Sequence, residues 1–278
     1  MPTASVILTA VKARFGDSGG DFITNARGLD WLDSAQTELV TKFMPLDRLT
    51  GFVVSANQEA FAIPGDSLEI DVVWHSRAIR SVLKHVEPVE FFRRKMVAQS
   101  ATGYPVIWTE FEARIYVWPM YGTADSTIGA SGAITAATTE IGVTSVSGFQ
   151  IQGLLQVASS AEIVQYTNTA TGNIKGCIRG YAGTTAASFA STGTVTQMSL
   201  QVLYKRNAAS LATVTDTPDL PTFYHKALEE WALYLAYAAE GSGEKAQAQY
   251  QIYQRELEKL EYQGSKQAMG PLRIVDAL

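Results

Sequence analysis

The sequence predicts an α+β protein: a helical bundle, built from N-terminal helices and a C-terminal antiparallel helix hairpin, with a β-sheet body and an inserted all-β subdomain. Three observations predict it. Apolar residues recur at helical spacing near both ends of the chain and at a spacing of two between them. A tract over about 125–198 changes composition to Thr, Ala, Ser and Gly yet keeps paired apolar positions. Two runs that read as sheet strands, IYVWP (115–119) and LQVLYKR (200–206), flank that tract.

Residues 5–15 set Ile7, Val11 and Phe15 on one helical face with Leu8 beside them, and Gly16 is a natural stop. Residues 16–21 form a polar turn. A second helix is expected over about 25–43. Its stripe is Leu29, Leu32, Ala35 or Gln36, Leu39 and Phe43, and Pro45 ends it because the residue before a proline is pushed out of helical space. From 51 the period becomes two, first in Gly51-Phe52-Val53-Val54 and then in 58–63. Pro64-Gly65-Asp66 marks a turn. Leu68, Ile70 and Val72 alternate with Glu69 and Asp71, a half-buried strand with its carboxylates on the solvated face. Residues 79–83 suggest another strand, and 87–96 a short helix with Pro88 in its first turn. Val106-Ile107-Trp108 reads as one strand, and Phe111, Ala113, Ile115 and Val117 as the alternating set of the next.

The tract 125–198 has only Asp125, Glu140, Glu162, Lys175 and Arg179 as charged residues. The apolar pairs Ile141/Val143, Leu155/Val157, Ile163/Tyr166 and Ile174/Ile178 favour a small β domain over a disordered linker. Residues 1–124 and 199–278 then form one discontinuous core domain interrupted by 125–198. Such an insertion is tolerated because closing a loop costs only slowly more as it lengthens.

At the C-terminal end, Pro218 and Pro221 precede a helix of about 222–239 with the stripe Tyr224, Ala227/Leu228, Trp231, Leu235 and Ala238. Gly241-Ser242-Gly243 ends it. A second helix over about 244–263 carries Ala246, Tyr250, Tyr253, Leu257 and Leu260, a heptad-like seam. The short loop makes the pair antiparallel. Residues 264–278 are a tail with an apolar cluster, Leu272, Ile274, Val275 and Leu278.

A formal net charge of −5 argues against a free nucleic-acid binder. The charged fraction, 18%, is below the usual ~25%, which fits a surface partly covered by partners or a weakly charged subdomain. Cys177 is the single cysteine, so no internal disulfide forms. The first residues lack a basic stretch before their apolar run, so no signal peptide is expected. No apolar stretch approaches a membrane-spanning length.

Chemical candidates are sparse. His75 and His85 lack metal-ligand spacing, and His225 falls in the first turn of a helix. Glu69/Asp71 and Glu110/Glu112 are strand-face pairs, better read as solvated than catalytic. Asp216 and Asp219 bracket a proline-rich turn. Cys177 has no nearby signature of a base. Gly241 to Lys245 lacks phosphate-loop spacing, and Gly172, Gly176 and Gly180 mark turns. No catalytic residue, cofactor or metal is predicted. Arg93, Arg94 and Lys95 form the one tight basic cluster, with Arg77 and Arg80 as an extension. It suits DNA phosphates in a channel or an acidic neighbouring subunit, against the plainer reading of a solvated helix face.

The segment DTPDLPTFYHKALEEWALYLAYAAEGSGEKAQAQYQIYQRELEKL resembles the ending of tailed-phage head-to-tail adaptor proteins, also called connector or head completion proteins. Leu220-Pro221, Tyr224-His225, Leu228, Tyr234, Ala236-Tyr237, Tyr250, Tyr253 and Leu257 carry the likeness. The run DFITNARGLDWLDSAQTELV and the strands IYVWP and LQVLYKR are also similar to that family, so the resemblance covers about 1–122 and 199–263. AEIVQYT (161–167) and CIRGYAGTTAASF (177–189) look like a small β module of phage virion proteins.

The resemblance implies a non-enzymatic virion protein, made in the host cytoplasm and placed at the head–tail junction. It implies a ring of identical subunits, usually twelve, whose bundle docks to the portal protein and whose body continues the DNA channel. Tail or nozzle proteins would meet the other face, contact with DNA would be non-specific, and no membrane is involved. Leu272, Arg273, Ile274, Val275 and Leu278 are the expected interface with the portal or a neighbouring copy. The alternative is a tail or baseplate protein whose insert binds a host glycan, through Phe149, Tyr166, Tyr181 or Phe189, or another tail protein. A third reading, a small hydrolase, lacks a catalytic constellation.

Overall fold

The computed structural model describes residues 2–76, 81–98, 101–157, 161–189 and 193–268. Contacts divide the chain into two compact units, Met1–Leu46 with Arg206–Leu278, and Asp47–Lys205. Among the described residues the α-helices are α1 (Ala4–Phe15), α2 (Asn25–Phe43), α3 (Pro88–Val97), α4 (His225–Glu240) and α5 (Gly243–Ala268). With the strands below, this is the predicted α+β class. None of these helices is long and apolar enough to cross a membrane.

The first unit is helical, and its helix ends follow local chemistry. Gly16 closes α1 at φ 91, its N–H donating to the Lys12 carbonyl. The Thr24 side chain accepts from Arg27 N–H and caps α2. Met44 ends α2 in the left-handed region (φ 45), one residue before the proline that bars it from helical space. α4 lies at the centre and packs on α1, α2 and α5. Three neighbours leave it no single dry stripe. Ala227, Leu228, Glu230, Ala232, Leu233 and Ala236 are buried, whereas Trp231 and Leu235 are half-buried and Ala238 is exposed. Tyr224, Ala227 and Leu228 are buried as the stripe predicts; beyond them burial passes to Ala232, Leu233 and Ala236 instead of Trp231, Leu235 and Ala238.

The α5 seam also shifts. Ala246, Gln249, Tyr253, Leu257 and Leu260 are buried, while Tyr250 is exposed. Gln249 takes the inner place because its amide donates to the Glu230 carboxylate. On α2 both Ala35 and Gln36 are buried. The Gln36 amide donates to the Ala209 carbonyl at 2.9 Å and accepts from Asp219 N–H at 2.9 Å. Polar side chains thus sit in the bundle core wherever a partner is supplied.

The second unit is mostly sheet. One four-stranded sheet has the order Asp47–Phe52, Leu200–Arg206, Ser67–His75, Ser81–Val82. Another has the order Ala60–Ala62, Arg114–Trp118, Ile107–Phe111, Lys84–His85. The strands IYVWP and LQVLYKR therefore lie in different sheets. They still share one core, where Ile115 and Val117 meet Leu200, Val202 and Tyr204. α3 buries Phe91 against Ile107 and Trp118.

Two strand readings are corrected. In Ser67–His75 Glu69 and Asp71 are exposed and Ile70 and Val72 half-buried, as expected, and the differences are that Leu68 is exposed and Val73 and His75 are buried. Phe111 ends one strand, and Glu112 (φ 49) with Ala113 (φ 56) makes the hairpin turn. That turn lacks the Asn-Gly signature such geometry usually shows. Of the expected strand at 79–83, Ser81–Val82 is seen, and residues 79 and 80 lie outside the described residues.

Within 125–198 a five-stranded antiparallel sheet runs Thr127–Gly129, Thr194–Met198, Gly153–Val157, Glu162–Tyr166, Ile178–Tyr181. A three-stranded sheet joins Glu140–Gly142, Asn173–Lys175 and Asn168–Ala170. A separate cluster forms here from Ile141, Val143, Leu155, Val157, Val164, Ile174 and Val195, among others. Of the predicted apolar pairs only Ile178 is exposed. Gly172, Gly176 and Gly180 all have positive φ, and a Cβ on Gly176 would fall 2.0 Å from Thr167 Oγ1, so a turn glycine is required there.

Asp125 pins the entry and exit of this segment. Its carboxylate is buried and accepts from Val54 N–H at 2.7 Å, Ser199 N–H at 3.1 Å and the Ser199 hydroxyl.

Candidate functional site

The chemistry-bearing side chains have structural partners. His225 Nε2 lies 3.0 Å from the Leu220 carbonyl oxygen. His75 stacks on Tyr104 and His85 on Trp108. Asp66 pairs with Arg48 at 2.7 Å and accepts from Tyr204 at 2.9 Å, while Tyr204 is pushed up to about 12, mainly by burial. Burial pushes the Cys177 thiol up to about 11, so little thiolate exists at neutral pH. Among the described residues no group of three His, Cys, Asp or Glu side chains could hold a metal ion.

The basic cluster on α3 is partly neutralised within its own surroundings, three cations sharing two carboxylates. Arg93 and Arg94 both bind Glu90 at 2.6 Å, and Lys95 binds Glu59 at 2.6 Å. The hydrogen bond from Arg94, with that from Arg93, holds the Glu90 carboxyl below its usual range. Val89, Arg93, Met96 and Val97, spaced i, i+4, i+7 and i+8, share a face. The three apolar ones are 82%, 74% and 86% exposed. A surface built only to touch phosphates has no use for them. Arg77 and Arg80 lie outside the described residues, as do Leu272, Arg273, Ile274, Val275 and Leu278.

The hairpin of α4 and α5 presents a second surface. Gly241 caps α4 at φ 84, and Ser242 N–H donates to the Tyr237 carbonyl, which turns the chain in two residues. Trp231, Tyr234, Tyr250 and Tyr253 form an aromatic cluster with ring centroids 4.8–6.4 Å apart along its contacts. Beside it opens a groove of about 500 Å³. Tyr234 and Tyr250 line it with the small residues Ala238, Gly241, Gly243 and Ala246.

Buried carboxylates support both units. Glu230 on α4 is gripped by Arg14 through two oxygens (2.9 and 2.8 Å), by Lys226 at 2.8 Å and by Gln249. Burial alone would raise its carboxyl, but the hydrogen bonds from Arg14 and Lys226 outweigh that and hold it low. Glu162 is fully buried and forms a two-pronged pair with Arg179 (2.7 and 2.6 Å). It also accepts from Gly180 and Ala187 N–H at 2.8 and 3.0 Å. Here too burial is outweighed and the carboxyl is held low.

Sequence reasoning missed the groove, both carboxylate networks and the outward apolar face of α3. The groove had a readable signal, small residues at 238, 241, 243 and 246 between two tyrosines. In the β segment Phe149, Tyr166 and Phe189 are core residues, and Tyr181 is half-buried, so the aromatics once available for stacking on a sugar are largely spent on packing.

A family model described as SU10 adaptor protein matches residues 2–275. No curated protein matches the chain.

Proposed function

This chain belongs to the SU10 adaptor protein family, a structural adaptor of the phage virion, and on that premise we propose that it is a subunit of the ring beneath the portal. The ring has twelve copies in this reading, with the DNA passing through its channel and tail or nozzle proteins on the far side. The observation that carries the proposal is the match over nearly the whole chain. Two exposed apolar surfaces, the α3 face and the hairpin groove, add to it, because patches of this kind mark surfaces that a partner covers. Two different patches on one subunit suit head-to-tail contacts, which close into a ring when the rotation allows.

Residues 125–198 act in this reading as an inserted domain of the adaptor, supported by a core cluster drawn wholly from those residues. The basic cluster Arg93, Arg94 and Lys95 faces a neighbouring subunit rather than bare DNA in this reading, since its three cations share the carboxylates of Glu90 and Glu59 and lie beside the exposed Val89, Met96 and Val97.

The test is a pull-down with portal protein, followed by electron microscopy of the complex. Wild-type chain is expected to bind and to form a closed ring. A chain lacking 269–278 is expected to fold and to lose the closed ring. A wild-type chain that does not bind portal protein overturns the reading.

A further inference from the structure

We propose that the hairpin groove receives the C-terminal segment 271–278 of a second copy of this chain, so that each subunit is tied to the next by an exchanged tail. The proposal rests on the ring reading above and names one of its contacts.

The groove is mainly apolar, lined by two tyrosines and by Gly and Ala residues, with Gln247 as its polar member, and it holds about 500 Å³. That is ample for several aliphatic side chains. The segment PLRIVDAL (271–278) supplies Leu272, Ile274, Val275 and Leu278. Its charges also find counterparts: Glu240 and Glu244 are exposed beside the groove glycines and face the choice of a cation such as Arg273. Lys245, over the Tyr237 ring, suits Asp276.

Length decides which copy supplies the segment. α5 runs on to Ala268 from a groove lined by its residues 243–250. At about 1.5 Å per residue the groove lies roughly 27–38 Å back along the helix from Ala268. An extended chain advances at most about 3.5 Å per residue, so Leu272 reaches roughly 14 Å and Val275 roughly 25 Å from that point. A subunit therefore falls short of seating Leu272, Ile274 and Val275 in its own groove; Leu278 alone, at roughly 35 Å, comes within range. The groove of another copy carries no such constraint, and head-to-tail exchange of this kind generates a ring or a filament.

The experiment uses full-length chains. Ala238 is exposed, so Ala238→Cys leaves the bundle packed, and Cys177 is buried and inert. A chain carrying Ala238→Cys is mixed under oxidising conditions with a differently tagged chain carrying Val275→Cys, with and without portal protein. The mixed disulfide is expected to exceed, by at least 10-fold, that formed with a control at the exposed Asp30, Asp30→Cys. Ala238→Trp, which fills the groove, is expected to lower self-association at least 10-fold while portal pull-down persists. The proposal is overturned if the 238–275 link stays at control level in both conditions. It is also overturned if a chain bearing both cysteines closes the link within itself at high dilution, or if Ala238→Trp loses portal binding and keeps self-association. Those outcomes leave the adaptor reading standing, which fails only if wild-type chain does not bind portal protein.

Discussion

The two units bury a glutamate in contrasting ways. In the helical unit Glu230 draws side chains from three helices, and its partner Arg14 lies 216 residues away in sequence. In the β unit the partners of Glu162 all lie within 25 positions of it: Arg179, the N–H of Gly180 in the strand Ile178–Tyr181, and the N–H of Ala187 in the loop after it. The first arrangement fixes how helices meet. The second fixes one strand and the loop that follows it. Partners also differ in access to water: the Arg14 and Lys226 side chains are 35% and 50% exposed, against 5% for Arg179. Ion pairs at the surface are worth little, and a dry pair is costly to break. The local pair is therefore the more critical of the two.

The largest effect should come from Arg179→Met, which leaves the Glu162 carboxylate buried without its counter-ion. We expect a loss of about 3–5 kcal/mol. Urea unfolding measures it, and the reactivity of Cys177 toward a thiol reagent reports opening of the β core. A cost under about 1 kcal/mol would reverse the ranking of the two networks. Arg14→Met should cost less, about 1–2 kcal/mol, because Lys226 and Gln249 remain on Glu230. If the two substitutions cost the same in parallel melts, exposure is not what separates them.

Acid sharpens the comparison further. Both glutamates have folded pKa values below the ordinary 4.5, so each contributes stability that is complete above that value and is lost as pH falls through the folded pKa. Thermal stability should be flat from pH 7 to about 5 on account of these groups and decline below about 4.5. In the double variant Glu162→Gln with Arg179→Met, the β unit's share of that decline should vanish while the helical unit's share stays. The smallest effect should be Gly241→Ala. Its φ of 84 disfavours a side chain but nothing lies within 4 Å of the new Cβ, so about 1 kcal/mol is expected from melting curves.

The same contrast explains what was legible in the sequence. Helix existence and ends were readable in α1 and α2, because apolar spacing, Gly16 and Pro45 are local signals. The inner face of α4 was not, because three helices compete for it and periodicity reports only one direction of burial. Tyr250 and Gln249 changed places for a related reason: hydropathy favours the tyrosine, and only the distant Glu230 gives the glutamine cause to be inside. The hairpin at Glu112-Ala113 was invisible because neither residue is one that favours left-handed backbone. Arg93, Arg94 and Lys95 stood out as charge, and Glu90 at helical spacing was a local signal for the two arginines. The pairing of Lys95 with Glu59 was not legible, since Glu59 comes from another part of the chain.

The pairing of Thr127 with Thr196 has a genetic consequence. Strands that neighbour each other in a sheet lie about 4.8 Å apart, so the points where the chain enters and leaves this β segment are within a few bonds of one another. A recombination event that removes the intervening codons, or replaces them with others of any length, asks the remaining polypeptide to bridge no more than a tight turn. Any replacement would still have to cover Leu49 and Val53, which pack against Leu154, Ile163 and Met198 of this segment.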